Sequence, residues 1–322
     1  MTADAEAVAA TGARRWWLLV KLAVTAALGA WLLHGVELSG IAQAWREVGL
    51  LALLGALALQ LLAYALGLWR WWLLLRYADV HVPYLSMKPA YYLGLFFNQV
   101  LPTGVGGDAV RTYHLYRRGL ALRPLVGSAL MDRLIGLFTI TYLGLGGLLS
   151  SHLFILTMGD RMVLVAVAVL AAVGFLLLFL PTVHDLLQKP FARWRHLHAV
   201  SIASDILELC HSYGRAPRLL AVAVVLSLVM QATEVTIFVA LGHALGLQVP
   251  VTVYFAAVPL AFVAASVPIS LGGLGVREGV LAGLMMAAGV DKHGAVALAV
   301  LFLAVLWVSV LPGLLLFVRS RR

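Results

Sequence analysis

The chain is predicted to be an all-α polytopic membrane protein, with six spanning helices and two oppositely oriented re-entrant hairpins arranged as inverted-topology repeats. Three observations lead there. The sequence is 63% hydrophobic and only 11% charged, with a mean hydropathy of +0.99, against about 45–50% apolar and about 25% charged for average proteins. Several uncharged runs approach about twenty residues, the length of helix that crosses about 30 Å of hydrocarbon. Two apolar runs are broken by Pro- and Gly-rich sequence, PTGVGGDAVR at 102–111 and PISLGGLGVR at 268–277.

Residues 1–15 begin small and polar and are expected to form a disordered cytoplasmic N-terminus. The first repeat is assigned to 16–150. Its first span runs from Trp16 to Leu33 behind Arg14 and Arg15, with no small-x-small cleavage site after it. A second span, Leu50 to Leu74, returns to the cytoplasm at Arg70 and Arg76, with Trp69, Trp71 and Trp72 read as an interfacial belt. The next cationic cluster, Arg117, Arg118 and Arg123, is also expected inside. The intervening piece therefore enters and comes back, a re-entrant hairpin over 89–118. Pro102 removes a backbone donor, and Gly104, Gly106 and Gly107 permit the reversal. Backbone opened at such depth is tolerated only where it is buried in protein or lines a cavity. Val126 to Leu149 completes the repeat.

The second repeat, 160–318, begins with a span from Met162 to Leu180. The segment 182–217 carries Lys189, Arg193, Arg195 and Arg215 among apolar residues. It reads either as an amphipathic stretch on the inner surface or as a solvated loop. A span from Leu219 to Leu245 exits, a second hairpin over 252–289 turns at Pro268, Gly272 and Gly273, and a last span from Ala295 to Val318 ends at internal arginines. Pro102/Pro268, Gly106/Gly272, Gly107/Gly273, Val110/Val276 and Arg111/Arg277 match at a single offset of 166 residues. Inverted repeats with paired broken helices are the architecture of secondary transporters, whose sites lie near the midplane between repeats.

The candidate chemistry clusters around these breaks. Arg111 and Arg277 each follow a Gly-Gly turn near a helix N-terminus, where backbone N–H groups and the dipole favour an anion and a guanidinium matches phosphate. The competing reading is local neutralisation, by Asp108 and Glu278 respectively. Asp132 and Arg133, inside a span, either complete a polar cavity or pair as buried glue between helices. Glu234 is a possible proton-coupling residue or a hydrogen-bonded structural one. Asn98 either caps the broken backbone or touches a head group.

Other classes find no support. The ten histidines and one cysteine show no ligand spacing, so no metal and no cofactor is expected. No common catalytic motif is present, and the protein is not expected to be an enzyme. The net charge of +9 is accounted for by cytoplasmic loops and anionic head groups rather than by nucleic acid.

The stretches FFNQVLPTGVGGDAVRTYHLYRRG, MDRLIGL and VPISLGGLGVREGVL resemble the lysylphosphatidylglycerol synthase transmembrane-region family, over about 16–318. That family includes the flippase portion of the multiple-peptide-resistance factor and many stand-alone proteins. The resemblance implies a protein of the bacterial or archaeal cytoplasmic membrane that moves an anionic phospholipid or polyprenyl-phosphate lipid between leaflets. It places Asn98, Pro102, Gly106, Arg111, Asp132, Arg133, Pro268, Gly272, Gly273 and Glu278 in the family's motif stretches. The sequence stops at Arg322 without the soluble aminoacyl-transfer domain, so lysyl-lipid synthesis is not expected. Membrane lipids are the expected partners. The rival expectations are a non-transporting partner of a lipid synthase or glycosyltransferase, and a small-anion transporter.

Overall fold

A computed structural model describes residues 20–30, 34, 45–46, 48–101, 106–151, 157–177, 179, 185–186, 189, 198–267 and 269–320. Pro102, Pro268, the N-terminal tail and most of 182–197 lie outside these residues.

Among the described residues every regular element is helical: α1 (Val20–Ala30), α2 (Leu50–Tyr77), α3 (Tyr84–Val100), α4 (Gly106–Tyr116), α5 (Leu122–Ser150), α6 (Met158–Leu177), α7 (His198–Tyr213), α8 (Pro217–Ala244), α9 (Val251–Ser266), α10 (Val276–Ala287) and α11 (Lys292–Ser320). Five of them, α2, α5, α6, α8 and α11, are long and apolar enough to cross a membrane. The expected first span is described only over α1. The side chains of α6 contribute nothing to the buried core, and Val163, Leu170 and Leu176 lie more than half exposed. Such an apolar surface suits lipid and not water.

Side-chain contacts fix the helix directions. Arg70 meets Ser227 and Gly67 faces Met230, so α2 and α8 are antiparallel. Tyr64 meets Tyr92 and Trp72 meets Tyr84, so α3 runs back along α2. Asn98 meets Gly107 and Ser86 meets Arg118, closing α3 and α4 into a hairpin. Ala265 faces Gly273 and Phe262 faces Arg277, closing α9 and α10 likewise. Gly144 faces Pro259 and Gly147 faces Phe255, setting α5 against α9. Gly242 faces Tyr254 and Phe238 meets Phe262, so α9 runs back along α8, and the short link 288–291 turns α11 back from α10. It follows that α3, α5, α8 and α10 point one way, and α2, α4, α9 and α11 the other.

The packing partners form matched pairs. Exchanging α2 with α8, α3 with α9, α4 with α10 and α5 with α11 turns the contact of α5 with α9 into that of α11 with α3. The same exchange relates α2–α11 to α8–α5, and α4–α5 to α10–α11. Gly147 and Gly313, also 166 residues apart, occupy matching crossings: a side chain on either would collide with α9 or α3 backbone.

The two hairpin turns differ in detail from the sequence expectation. Gly272 and Gly273 take positive φ, 54° and 78°, as turn residues that favour glycine. Gly106 and Gly107 instead open helix α4. Gly107 is needed for space rather than for its dihedral, since a Cβ there would strike the Gly94 carbonyl and Asn98. The second turn meets the end of α3: a Cβ on Gly272 would lie 2.5 Å from the Gln99 carbonyl oxygen. Helix α1 steadies the second tip, where the Leu271 N–H donates to Thr25 Oγ1 at 3.0 Å.

Candidate functional site

The tight α3–α4 crossing at Gly94 and Gly107 determines where the chemistry sits. Asn98 Oδ1 accepts from the Gly107 N–H at 2.9 Å, satisfying one of the open donors at the start of α4. Asp108 follows in the first turn, where the dipole favours a carboxylate. Arg111 lies three residues on, on the same helix face. Its guanidinium stacks 4.2 Å above Trp71 and 5.7 Å from the Tyr91 ring centroid, a cation–π sandwich that holds it in place.

Four ion pairs then join five residues in alternating sign. Arg70 Nε donates to Asp132 Oδ1 at 2.6 Å, and Arg111 Nη2 donates to Asp132 Oδ2 at 3.0 Å. The same Arg111 Nη2 reaches Asp108 Oδ1 at 2.9 Å, and Arg133 Nη1 reaches Asp108 Oδ2 at 3.0 Å. Side-chain exposure is 5–8% over Arg70, Asp132 and Arg111, then reaches 20% at Asp108 and 29% at Arg133. At its inner end Arg70 Nη1 donates to Ser227 Oγ, which hydrogen-bonds Thr139 at 2.6 Å. Gln231 Nε2 donates to Thr139 Oγ1 at 2.8 Å and to the Gly136 carbonyl at 3.0 Å. Buried charges require such partners, because each pays a large desolvation cost.

The ladder lines a cavity of about 310 Å³ between the α3–α4 hairpin and helices α2, α5 and α8. Asn98, Asp108, Arg111, Asp132 and Arg133 all face it, as does Glu234, one turn beyond Gln231. Glu234 lies in electrostatic range of both Arg70 and Arg277. Arg111 Nε and Gln231 Oε1 are buried without a hydrogen-bond partner among the described residues. Three arginines against two aspartates leave the ladder with one positive charge.

Arg277 and Glu278 are placed differently. Arg277 Nε and Nη2 donate to Glu278 Oε1 at 3.0 and 2.7 Å, while Glu278 Oε2 accepts from the Gly275 N–H at 2.7 Å. The pair is a buried helix cap, with the guanidinium 5.5 Å from both the Phe262 and Phe302 rings. It does not line the cavity, although Phe262 does. At the 166-residue offset, Asp108, Asp132 and Arg133 are answered by Leu274, Leu298 and Ala299. The helical frame is matched between the halves; the charge is not.

Arg70 and Trp71 correct the sequence reading. They were expected at the interface, yet Arg70 is 6% exposed and Trp71 fully buried, while Trp69 is the lipid-facing neighbour at 45%. The missed signal is helical spacing: Gln60, Tyr64, Gly67 and Trp71 repeat every three to four residues along one face, and all four are buried.

Comparison with known proteins sets this geometry in a family. The sequence profile described as the lysylphosphatidylglycerol synthase TM region matches residues 18–313. A UPF0104 membrane protein of Pyrococcus horikoshii is 20% identical over 283 residues, covering 79% of this chain and 82% of that protein. With the profile matched across nearly its whole length, the chain belongs to the lysylphosphatidylglycerol synthase transmembrane-region family.

Proposed function

We propose that this protein is a lipid translocase that moves an anionic phospholipid or polyprenyl-phosphate lipid between the leaflets of a cytoplasmic membrane, the head group passing through the charged cavity. The observation that carries the reading is the Arg70–Asp132–Arg111–Asp108–Arg133 ladder, net positive and facing open volume. A charge at the bilayer centre is costly, and a chain of paired arginines lowers that cost for a phosphate. The proposed role is transport rather than catalysis.

In this reading the α3–α4 and α9–α10 hairpins are re-entrant and meet at their tips within the membrane. Helix α3, with 17 residues, and α9, with 16, span about 25 Å at 1.5 Å per residue, short of the roughly 30 Å hydrocarbon core. The opposed directions of matched helices support two inverted repeats. Helix α1, within the expected first span, supplies the sixth crossing. Asn98 and Glu278 hold the hairpins in shape, and Glu234 is the group available for proton coupling.

Purified protein in liposomes containing fluorescent phosphatidylglycerol tests this directly. Exchange between leaflets is expected to exceed that of protein-free liposomes. Arg133→Gln, at the exposed end of the ladder, is expected to slow it about tenfold with little loss of folding, the scale of one charge-assisted hydrogen bond. Exchange no faster than in empty liposomes, or a variant as fast as the parent, overturns the assignment.

A further inference from the structure

Asp108 holds Arg111 with one carboxylate oxygen and Arg133 with the other, at 2.9 and 3.0 Å. Two non-bridging oxygens of a phosphate bond two guanidinium groups in the same way. The carboxylate also stands at the N-terminus of α4, where phosphates bind. Its side chain is 20% exposed, so it is not locked in the interior as Asp132 is.

On the far side of this pair lies a second space of about 250 Å³, a slot between α4 and α5. Ala109 and Thr112 line it from α4, and Val126, Ala129 and Leu130 from α5. Small residues at 109 and 129 leave the gap. Asp108 and Arg133 line both spaces. The ion pair is therefore the partition between a polar, net-positive cavity and an apolar slot. One class of ligand needs both compartments side by side, an amphiphile with an anionic head and a hydrocarbon chain.

We propose that Asp108 occupies the place of a lipid phosphate, and that a lipid displacing it seats its phosphate on Arg111 and Arg133 while one acyl chain enters the slot between α4 and α5. This deepens the translocase reading by assigning a binding site, and the site stands or falls separately. No bond is made or broken; the Asp108 carboxylate gives up two ion pairs, and the phosphate takes them.

The test uses the full chain in phosphatidylcholine liposomes with a phosphatidylglycerol probe carrying a diazirine on its acyl chain. Crosslinks are expected to concentrate on residues 109–130 and to be competed by unlabelled phosphatidylglycerol. Ala109→Trp, at the exposed rim of the slot, is expected to cut labelling about fivefold by filling it, a modest steric loss. Asp108→Asn removes the internal competitor and is expected to raise labelling about tenfold, the low end of a charge-assisted hydrogen bond. Crosslinks spread over α6 and indifferent to Ala109→Trp overturn the site. So does Asp108→Asn protein that elutes as a folded monodisperse species yet labels less than the parent. Localised labelling in protein that does not exchange lipid keeps this site and refutes translocation; exchange without labelling of the slot does the reverse.

Discussion

Asp132 accepts from two arginines at once, and that double duty sets its energetic role. Arg70 and Arg111 are each nearly buried and share this one carboxylate. Removing one partner of a buried pair costs about 3–5 kcal/mol, because a charge is left uncompensated. Asp132→Ala is therefore expected to lower the melting temperature in detergent sharply, whereas Arg133→Gln, at a partly exposed site, is expected to cost about 1 kcal/mol or less. A fluorescence-detected thermal scan of both variants checks the order. Glu234 acts on the charge balance rather than on the fold. It stands in electrostatic range of Arg70, Arg277 and Tyr64. Ionised, it brings the cavity from one positive charge to zero; protonated, it leaves the positive charge for an anion. Removing that carboxylate is thus expected to speed exchange of phosphatidylglycerol at fixed pH. Glu234→Gln makes the change with little loss of shape, and a variant no faster than the parent rules this group out.

At the scale of helices, the architecture depends on backbone brought close to backbone. Gly107 meets the Gly94 carbonyl, Gly147 meets Phe255 and Ala256, and Gly313 meets Tyr92. Alanine at any of the three forces a pair of helices apart, and overpacking of this kind costs about 1–3 kcal/mol. Gly146, beside Gly147 on the same helix, faces open space, so Gly146→Ala is expected to be neutral or to stabilise by up to about 1 kcal/mol through helix propensity. Thermal stability of the four single variants reads the contrast, and equal losses at positions 146 and 147 contradict it. These contacts also show what was legible in the sequence. The five candidate spans followed from apolar length and the breaks between α3 and α4 and between α9 and α10 from Pro and Gly, because both are local properties. Gly106 and Gly107 were read as turn residues because a glycine's dihedral role and its spacing role look alike in one dimension. Arg70 was read as an interfacial cation because charge near a span end usually is; its distant partners, Asp132 at 62 residues and Ser227 at 157, hold it inside. The 166-residue offset joined Arg111 to Arg277, yet their surroundings diverge. Leucine and alanine stand where the first half has Asp108, Asp132 and Arg133, so symmetry of the frame carried no information about the charge.

For the molecule as a whole, the helix directions place most of the exposed cations at one end. Arg76 closes α2, Arg117, Arg118 and Arg123 join α4 to α5, Arg215 and Arg218 open α8, and Arg319 closes α11. The opposite end carries Arg46 before α2, Asp160 and Arg161 at the start of α6, and Asp291, Lys292 and His293 between α10 and α11. Positive charge is retained on the cytoplasmic side, so the first end is expected inside. Both ends of the α3–α4 hairpin are then expected on the cytoplasmic side, and both ends of α9–α10 on the other face. A chain that crossed at either hairpin would reverse everything after it. Cysteine scanning separates these arrangements, after the native Cys210 is replaced by serine. His81 lies before α3 and Arg118 after α4, while Gln248 lies before α9 and His293 after α10. In right-side-out vesicles, Gln248→Cys and His293→Cys are expected to react with a membrane-impermeant maleimide, and His81→Cys and Arg118→Cys only after permeabilisation. If positions 81 and 118 react from different faces, α3 and α4 together cross the membrane and the first hairpin is not re-entrant. If 118 and 248 react from the same face, the halves are not inverted, and a head group entering beside Arg133 has no second hairpin facing it from the other leaflet.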